Sequence, residues 1–142
     1  MTLSIYLNFD GTCAEAFAFY ADVFGTDPVI VMKFSDGPSE FQPDADEMDK
    51  IMHMSLPIGD SVLMGSDVVK GWGEPPTPAN CFSISYAART RQDAEEKFTA
   101  LSDGGSVKMP MGEMFWGSYF GMVTDRYGTS WMIAYDTPAG AD

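Results

Sequence analysis

The chain predicts an α+β fold built from two βαβββ modules, and three observations carry that expectation. The order strand, helix, three strands can be read twice along the 142 residues. The two helix-start signals recur at an offset of roughly 78 residues, the mark of an internal repeat. The stretch 115–133, FWGSYFGMVTDRYGTSWMI, is dense in aromatics and glycine and reads as the hairpin that closes the second copy.

Residues 3–9 alternate strictly, with Leu3, Ile5, Leu7 and Phe9 on one side and Ser4, Tyr6 and Asn8 on the other. Period-two alternation is the pattern of a half-buried strand. Asp10-Gly11 turns the chain, and Thr12 with Glu15 three residues on reads as a capping box opening a helix. Phe17, Tyr20 and Phe24 recur at helical spacing until Gly25 stops the run. Residues 29–34 are β-branched and aromatic, a second strand. The segment 36–49, DGPSEFQPDADEMD, breaks the pattern with prolines, glycine and acids. It reads as an exposed connection, solvated or serving as a lid. Residues 50–58 and 61–66 are strands joined at Gly59-Asp60 by a tight turn. Residues 68–80 are rich in glycine and proline and read as a linker.

The second copy begins with an alternating strand at 81–86. Thr90, with Asp93 three on, opens a helix whose apolar stripe is Ala94, Phe98 and Leu101. Gly104-Gly105 ends it, and 106–111 is a strand. The closing hairpin pairs 119–124 with 129–135 around the turn Asp125-Arg126-Tyr127-Gly128, where Gly128 is free to take a positive φ. Neither half has enough layers to bury its sheet alone, so the halves share a core or pair with another subunit. A chain of this length reads as one domain, 1–142, with modules at about 1–67 and 79–137.

Composition excludes several classes. A formal net charge of −13 repels phosphate backbones, so nucleic acid is not an expected partner. The apolar runs fall short of the roughly 18 residues of a membrane span. The N-terminus lacks the basic and apolar regions of a signal peptide. Cys13 and Cys81 form neither CxxC nor a disulfide framework, which places the chain in a reducing cytoplasm. The acid excess suits solubility, or attraction of a cationic ligand.

The words YLNFDGTCAEAFAFYADVFG, KIMHMSLPIGDSVLMGSD, NCFSISY and FWGSYFGMVTDRYGTSWMI together resemble the PhnB-like branch of the vicinal oxygen chelate superfamily, which includes glyoxalase I, bleomycin-resistance proteins and extradiol dioxygenases. The resemblance runs nearly end to end, and TDRYGTSWMI is its most specific part. It implies a cupped mixed sheet with helices on the convex side, a ligand cleft on the concave side, and a homodimer. Metal-using members place their ligands on the first and last strand of each module. Carried onto this sequence, those positions are Ser4, Met64, Cys81 and Met132. None is His, Asp or Glu, the donors that oxygen-preferring and borderline divalent ions select. No metal and no cofactor is therefore expected. Nor is there a glycine-rich strand-turn-helix for a nucleoside cofactor, so methyltransferase chemistry is rejected.

Strand alternation agrees with two faces. Ser4, Tyr6, Asn8, Cys81, Ser83, Ser85 and Ser130 make a small or polar face that also carries Met64 and Met132; Leu3, Ile5, Leu7, Phe82, Ile84, Trp131 and Ile133 make an apolar face for the helices. His53, the only histidine, shares its face with Ser55 and reads either as a base or anchor or as a hydrogen-bonded structural residue. Trp116 is placed to stack on a planar ligand and Glu113 to accept a proton or cation, or the pair forms a buried corner. The candidate ligand-binding set is thus Tyr6, Asn8, His53, Ser55, Met64, Cys81, Ser83, Glu113, Trp116, Ser130 and Met132. Three functions compete: a metal-free protein binding a small organic ligand, as in drug sequestration; a lyase or isomerase using His53 and Glu113 or a divalent metal; and an interaction protein with a vestigial cleft.

Overall fold

The computed structural model describes residues 1–77 and 80–138. The chain divides into two compact units, Met1–Thr77 and Pro78–Asp142. Each has the βαβββ order that the sequence predicts, so the α+β class with paired modules holds.

The first unit contains β1 (Ile5–Phe9), α1 (Cys13–Phe24), β2 (Ile30–Lys33), β3 (Ile51–Ile58) and β4 (Ser61–Asp67). Its sheet runs β1-β4-β3-β2, with β1 parallel to β4 and the other pairs antiparallel. Leu7, Phe9, Met54, Leu56 and Leu63 are buried on one face, where Phe17 of α1 packs edge-on against Phe9. Gly65 lets α1 approach: a Cβ there would lie 2.7 Å from the Phe17 ring and 3.0 Å from the Leu7 carbonyl oxygen.

Three expectations change in this unit. The strand begins at Ile5, and Leu3 is exposed ahead of it. Thr12 makes no side-chain cap to α1. Instead Asp67, at the end of β4, accepts from the Cys13 N–H at 3.0 Å and from the Ile51 N–H at 2.9 Å, so the helix start is capped from across the sheet. The acidic segment is also more ordered than an open connection. It forms short 3-10 turns at Phe34–Asp36, Ser39–Phe41 and Ala45–Glu47. Phe34 is buried against the edge of Trp72, and buried Glu47 accepts from Lys50 Nζ and from the Lys70 N–H. The first part of the supposed linker thus belongs to this unit, with Val69 in its core.

The second unit contains β5 (Ile84–Ala87), α2 (Arg91–Ser102), β6 (Ser106–Glu113), β7 (Ser118–Thr124) and β8 (Ser130–Asp136). Its order is β5-β8-β7-β6, with β5 parallel to β8. Phe98 and Leu101 of α2 are buried, as are Ile84, Val123, Trp131 and Ile133 on the sheet. Thr90 does cap its helix, accepting from the Asp93 N–H at 3.0 Å. The expected turn is present, with Gly128 at φ 89° and its N–H donating to Asp125 O.

The first strand of this unit is shorter than expected, and Phe82 is a correction. It is 55% exposed and lies ahead of β5. The parallel register sets Ile84 against Trp131, so residues 81 and 82 would face Gly128 and Thr129, which lie in the turn before β8. β6 in turn runs two residues further than expected, to Glu113.

Asp93 joins α2 to the sheet by accepting from Tyr86 Oη at 2.9 Å and pairing with Lys97. Burial and the Asp93 bond push the Tyr86 phenol up to about 12. Partial burial opposes ionisation of Asp93, but hydrogen bonds from Lys97, Tyr86 and the Arg89 N–H outweigh it and hold the carboxyl below its usual range. A carboxyl lowered on folding stabilises the fold above its unfolded pKa, near ~3.9, and loses that contribution as pH falls further. The Asp93→Asn variant is therefore expected to show a shallower loss of stability on acidification than the parent, measured by urea unfolding at stepped pH.

Candidate functional site

In each unit the helix covers one face of the sheet and leaves the other without a helix of its own. Strand register fixes which side chains share that second face. In the first unit one row is Tyr6, Met64, Ser55 and Ile30; Asn8 and Ser66, and His53 and Met32, lie one pleat along. The parity that buries Leu7 and Phe9 under α1 is what turns Tyr6 and Asn8 the other way.

Tyr6 Oη and His53 Nδ1 are 3.2 Å apart, and their rings stack with centroids 5.7 Å apart. The contact reaches across β4, which lies between the strands that carry them. Four candidates from the sequence, Tyr6, His53, Ser55 and Met64, are thereby gathered on one surface, and Asn8 stands exposed at its edge. The pair offers a phenol and an imidazole that exchange donor and acceptor roles with the imidazole tautomer.

In the second unit, Ser85, Met132, Met122 and Met109 form one row on the helix-free face, and Ser130 lies one pleat away opposite Thr124. Trp116 lies in the turn before β7 and packs edge-on against Phe120 with centroids 5.9 Å apart. Phe120 pairs with Ala134, which places it on the same face as Met132. Cys81 and Ser83 lie ahead of β5 and are exposed.

Glu113 does not join this group. It pairs with Tyr119, whose hydroxyl donates to Glu95 of α2, so both are on the helix side. There Glu113 accepts from Arg91 Nη1, and the Arg91 guanidinium stacks 3.8 Å from the Tyr119 ring centroid. Cys13 does not sit where a thiolate is favoured. Burial and the nearby Asp67 carboxylate push the Cys13 thiol well above its ordinary range, although it begins a helix.

The four positions carried over as metal ligands do not fit a divalent ion. Ser4 precedes β1 and Cys81 precedes β5; the residues directly opposite Met64 and Met132 are Tyr6 and Ser85. Hydroxyls, thioethers and a thiol are a poor set for zinc, nickel or iron. Among the described residues, Asp44, Asp46 and Glu47 are grouped closely enough to share an ion, but Glu47 already serves Lys50 and the Lys70 N–H. Elemental analysis of protein purified without chelator is expected to find zinc, nickel and iron well below one per chain. About one metal per chain, lost in His53→Ala, would reverse this reading.

Sequence alternation located Tyr6 and His53 separately but missed their pairing. It also missed Met122; Met109, whose facing depends on irregularities in β6; and the anchors Asp67 and Asp125.

Comparison with known proteins adds four findings. The family model described as the Glyoxalase/Bleomycin resistance protein/Dioxygenase superfamily matches residues 4–133. Protein YjdN of Escherichia coli strain K12 is 30% identical over 138 residues, covering 94% of each chain. Protein PA1353 of Pseudomonas aeruginosa has a similar structure, with a TM-score of 0.85, 39% identity, and coverage of 96% of this chain and 98% of that one. A PhnB protein of Bacillus cereus shares the fold at TM-score 0.76 and 23% identity over 95% of this chain and 99% of its own.

Proposed function

We propose, because this chain belongs to the Glyoxalase/Bleomycin resistance protein/Dioxygenase superfamily, that it binds a small organic ligand without a divalent metal, using the helix-free face of its first unit. The observation that carries this reading is the Tyr6–His53 pair, a polar anchor beside Met64 and Ile30. A few convergent polar groups among apolar ones is the ordinary make-up of a small-molecule site. Methionine gives such a wall shape tolerance. Glu113 is committed to Arg91, so no proton transfer is assigned to it.

The test uses the chain's single histidine, which gives one imidazole Hε1 resonance. A library of small planar organic compounds is screened by ligand-observed NMR, and each binder is titrated while that resonance is followed. Binders are expected to shift it, and Tyr6→Phe to weaken them about tenfold. Binders that leave the His53 signal in place would refute the assignment.

The assembly proposed is a homodimer with an apolar interface. Val29, Ile30, Val31 and Met32, at and just before edge strand β2, are all exposed, and an uncovered apolar edge favours pairing. Sedimentation at micromolar protein is expected to give twice the chain mass. A purely monomeric boundary would count against the dimer.

A further inference from the structure

The row Met132, Met122, Met109 places three methionines on three consecutive strands of the second unit, each directly opposite the next. Directly opposed residues in an antiparallel pair have Cβ atoms about 4.5–5.5 Å apart. Three flexible bonds then allow neighbouring sulfurs to reach a common point. None of the three is sealed in the core: Met109 is exposed, and Met122 and Met132 are half-buried.

The arrangement depends on irregularities in β6. The register shifts between Met109 and Gly112, so Met111 turns to the helix side, where its sulfur and the Phe98 ring crowd Gly121. Met109 stays on the opposite face with Met122. Phe120 lies on that face beside Met122, with Trp116 packed on it. Ser85 ends the row, so it holds no carboxylate or imidazole.

Thioethers are neutral, soft donors that need no deprotonation. They discriminate against oxygen-preferring ions and suit Cu(I) and its close analogue Ag(I). Neighbouring aromatic rings favour a cation further, and a net charge of −13 raises the local cation concentration. We propose that Met109, Met122 and Met132 form a thioether site for one soft monovalent cation, Cu(I) or Ag(I). The site lies in the second unit and does not rest on the Tyr6–His53 reading, so either can fail alone.

The test is anaerobic titration of Ag(I) into Cys81→Ser protein, which removes the exposed thiol as a competing ligand. Native mass spectrometry gives the stoichiometry, and methionine ε-methyl NMR reports the ligands. One Ag(I) per chain is expected, shifting three methyl signals together. Met122→Leu/Met132→Leu, which nearly conserves side-chain volume, is expected to weaken binding at least tenfold while the thermal unfolding midpoint stays close to the parent's. Met111→Leu and His53→Ala are expected to bind as the parent does. No stoichiometric Ag(I), unchanged affinity in the double variant, or loss of binding in His53→Ala would each overturn the proposal.

Discussion

Replacing Trp131 with alanine is expected to destabilise the protein by about 3–5 kcal/mol, the usual cost of truncating a fully packed aromatic. Trp131 is 2% exposed in β8, between Ile84 and Val123 in the row beneath α2. Its indole Nε1 also donates to Asp125 Oδ2 at 2.9 Å. The other oxygen of Asp125 accepts from the Tyr127 and Thr129 N–H groups at 2.9 and 3.0 Å. One carboxylate therefore folds the closing turn and fastens it to the core. Trp131→Phe separates the two contributions: it retains most of the ring packing and removes the donor, so a loss of about 1–2 kcal/mol is expected. Urea unfolding with an unchanged m-value is the measurement. A loss under about 1 kcal/mol for the alanine variant would mean that the indole does not pack as described. Phe82→Ala, by contrast, is expected to change stability by less than about 0.5 kcal/mol, since Phe82 is exposed and outside the sheet.

The second large effect is expected at Asp67, where alanine should cost about 2–4 kcal/mol. The carboxylate is buried and satisfies two backbone donors, Cys13 N–H and Ile51 N–H. Leaving a buried donor without a partner costs roughly 1–3 kcal/mol, and the negative charge also faces the positive end of α1. Thr12→Ala is expected to cost under about 0.5 kcal/mol, because its hydroxyl makes no cap bond. Equal losses at Thr12 and Asp67 would show that the local capping box, and not the distant carboxylate, holds the helix start. Thermal and urea unfolding of the two variants side by side decide the matter.

Much of the candidate site was legible residue by residue. Alternation put Tyr6 and Asn8 opposite Leu7 and Phe9, and His53 with Ser55 opposite Met54 and Leu56, because strand side chains alternate with a period of two whatever the neighbouring strand is. Glu113 was grouped with Trp116 ahead of the closing hairpin, but β6 runs on to Glu113 and sets it opposite Tyr119 on the helix side. Cys81 and Ser83 looked like strand residues by alternation alone, but β5 starts only at Ile84, and in its register Cys81 would face the turn before β8.

The sequence by itself determined the repeated βαβββ plan, the two helices and their stripes, the tight turns at Gly59 and Gly128, and the two faces of most strands. Those features depend on interactions within a few residues: periodicity, capping and the conformational freedom of glycine. Only the tertiary structure decided what joins them. The cap on α1 comes from a residue 54 positions away. Tyr6 meets His53 across an intervening strand, and Met109 is set opposite Met122 because β6 bulges where it does. Such contacts are set by strand order and register, which are chosen by the packing of the whole unit and leave little trace in any local stretch of the chain.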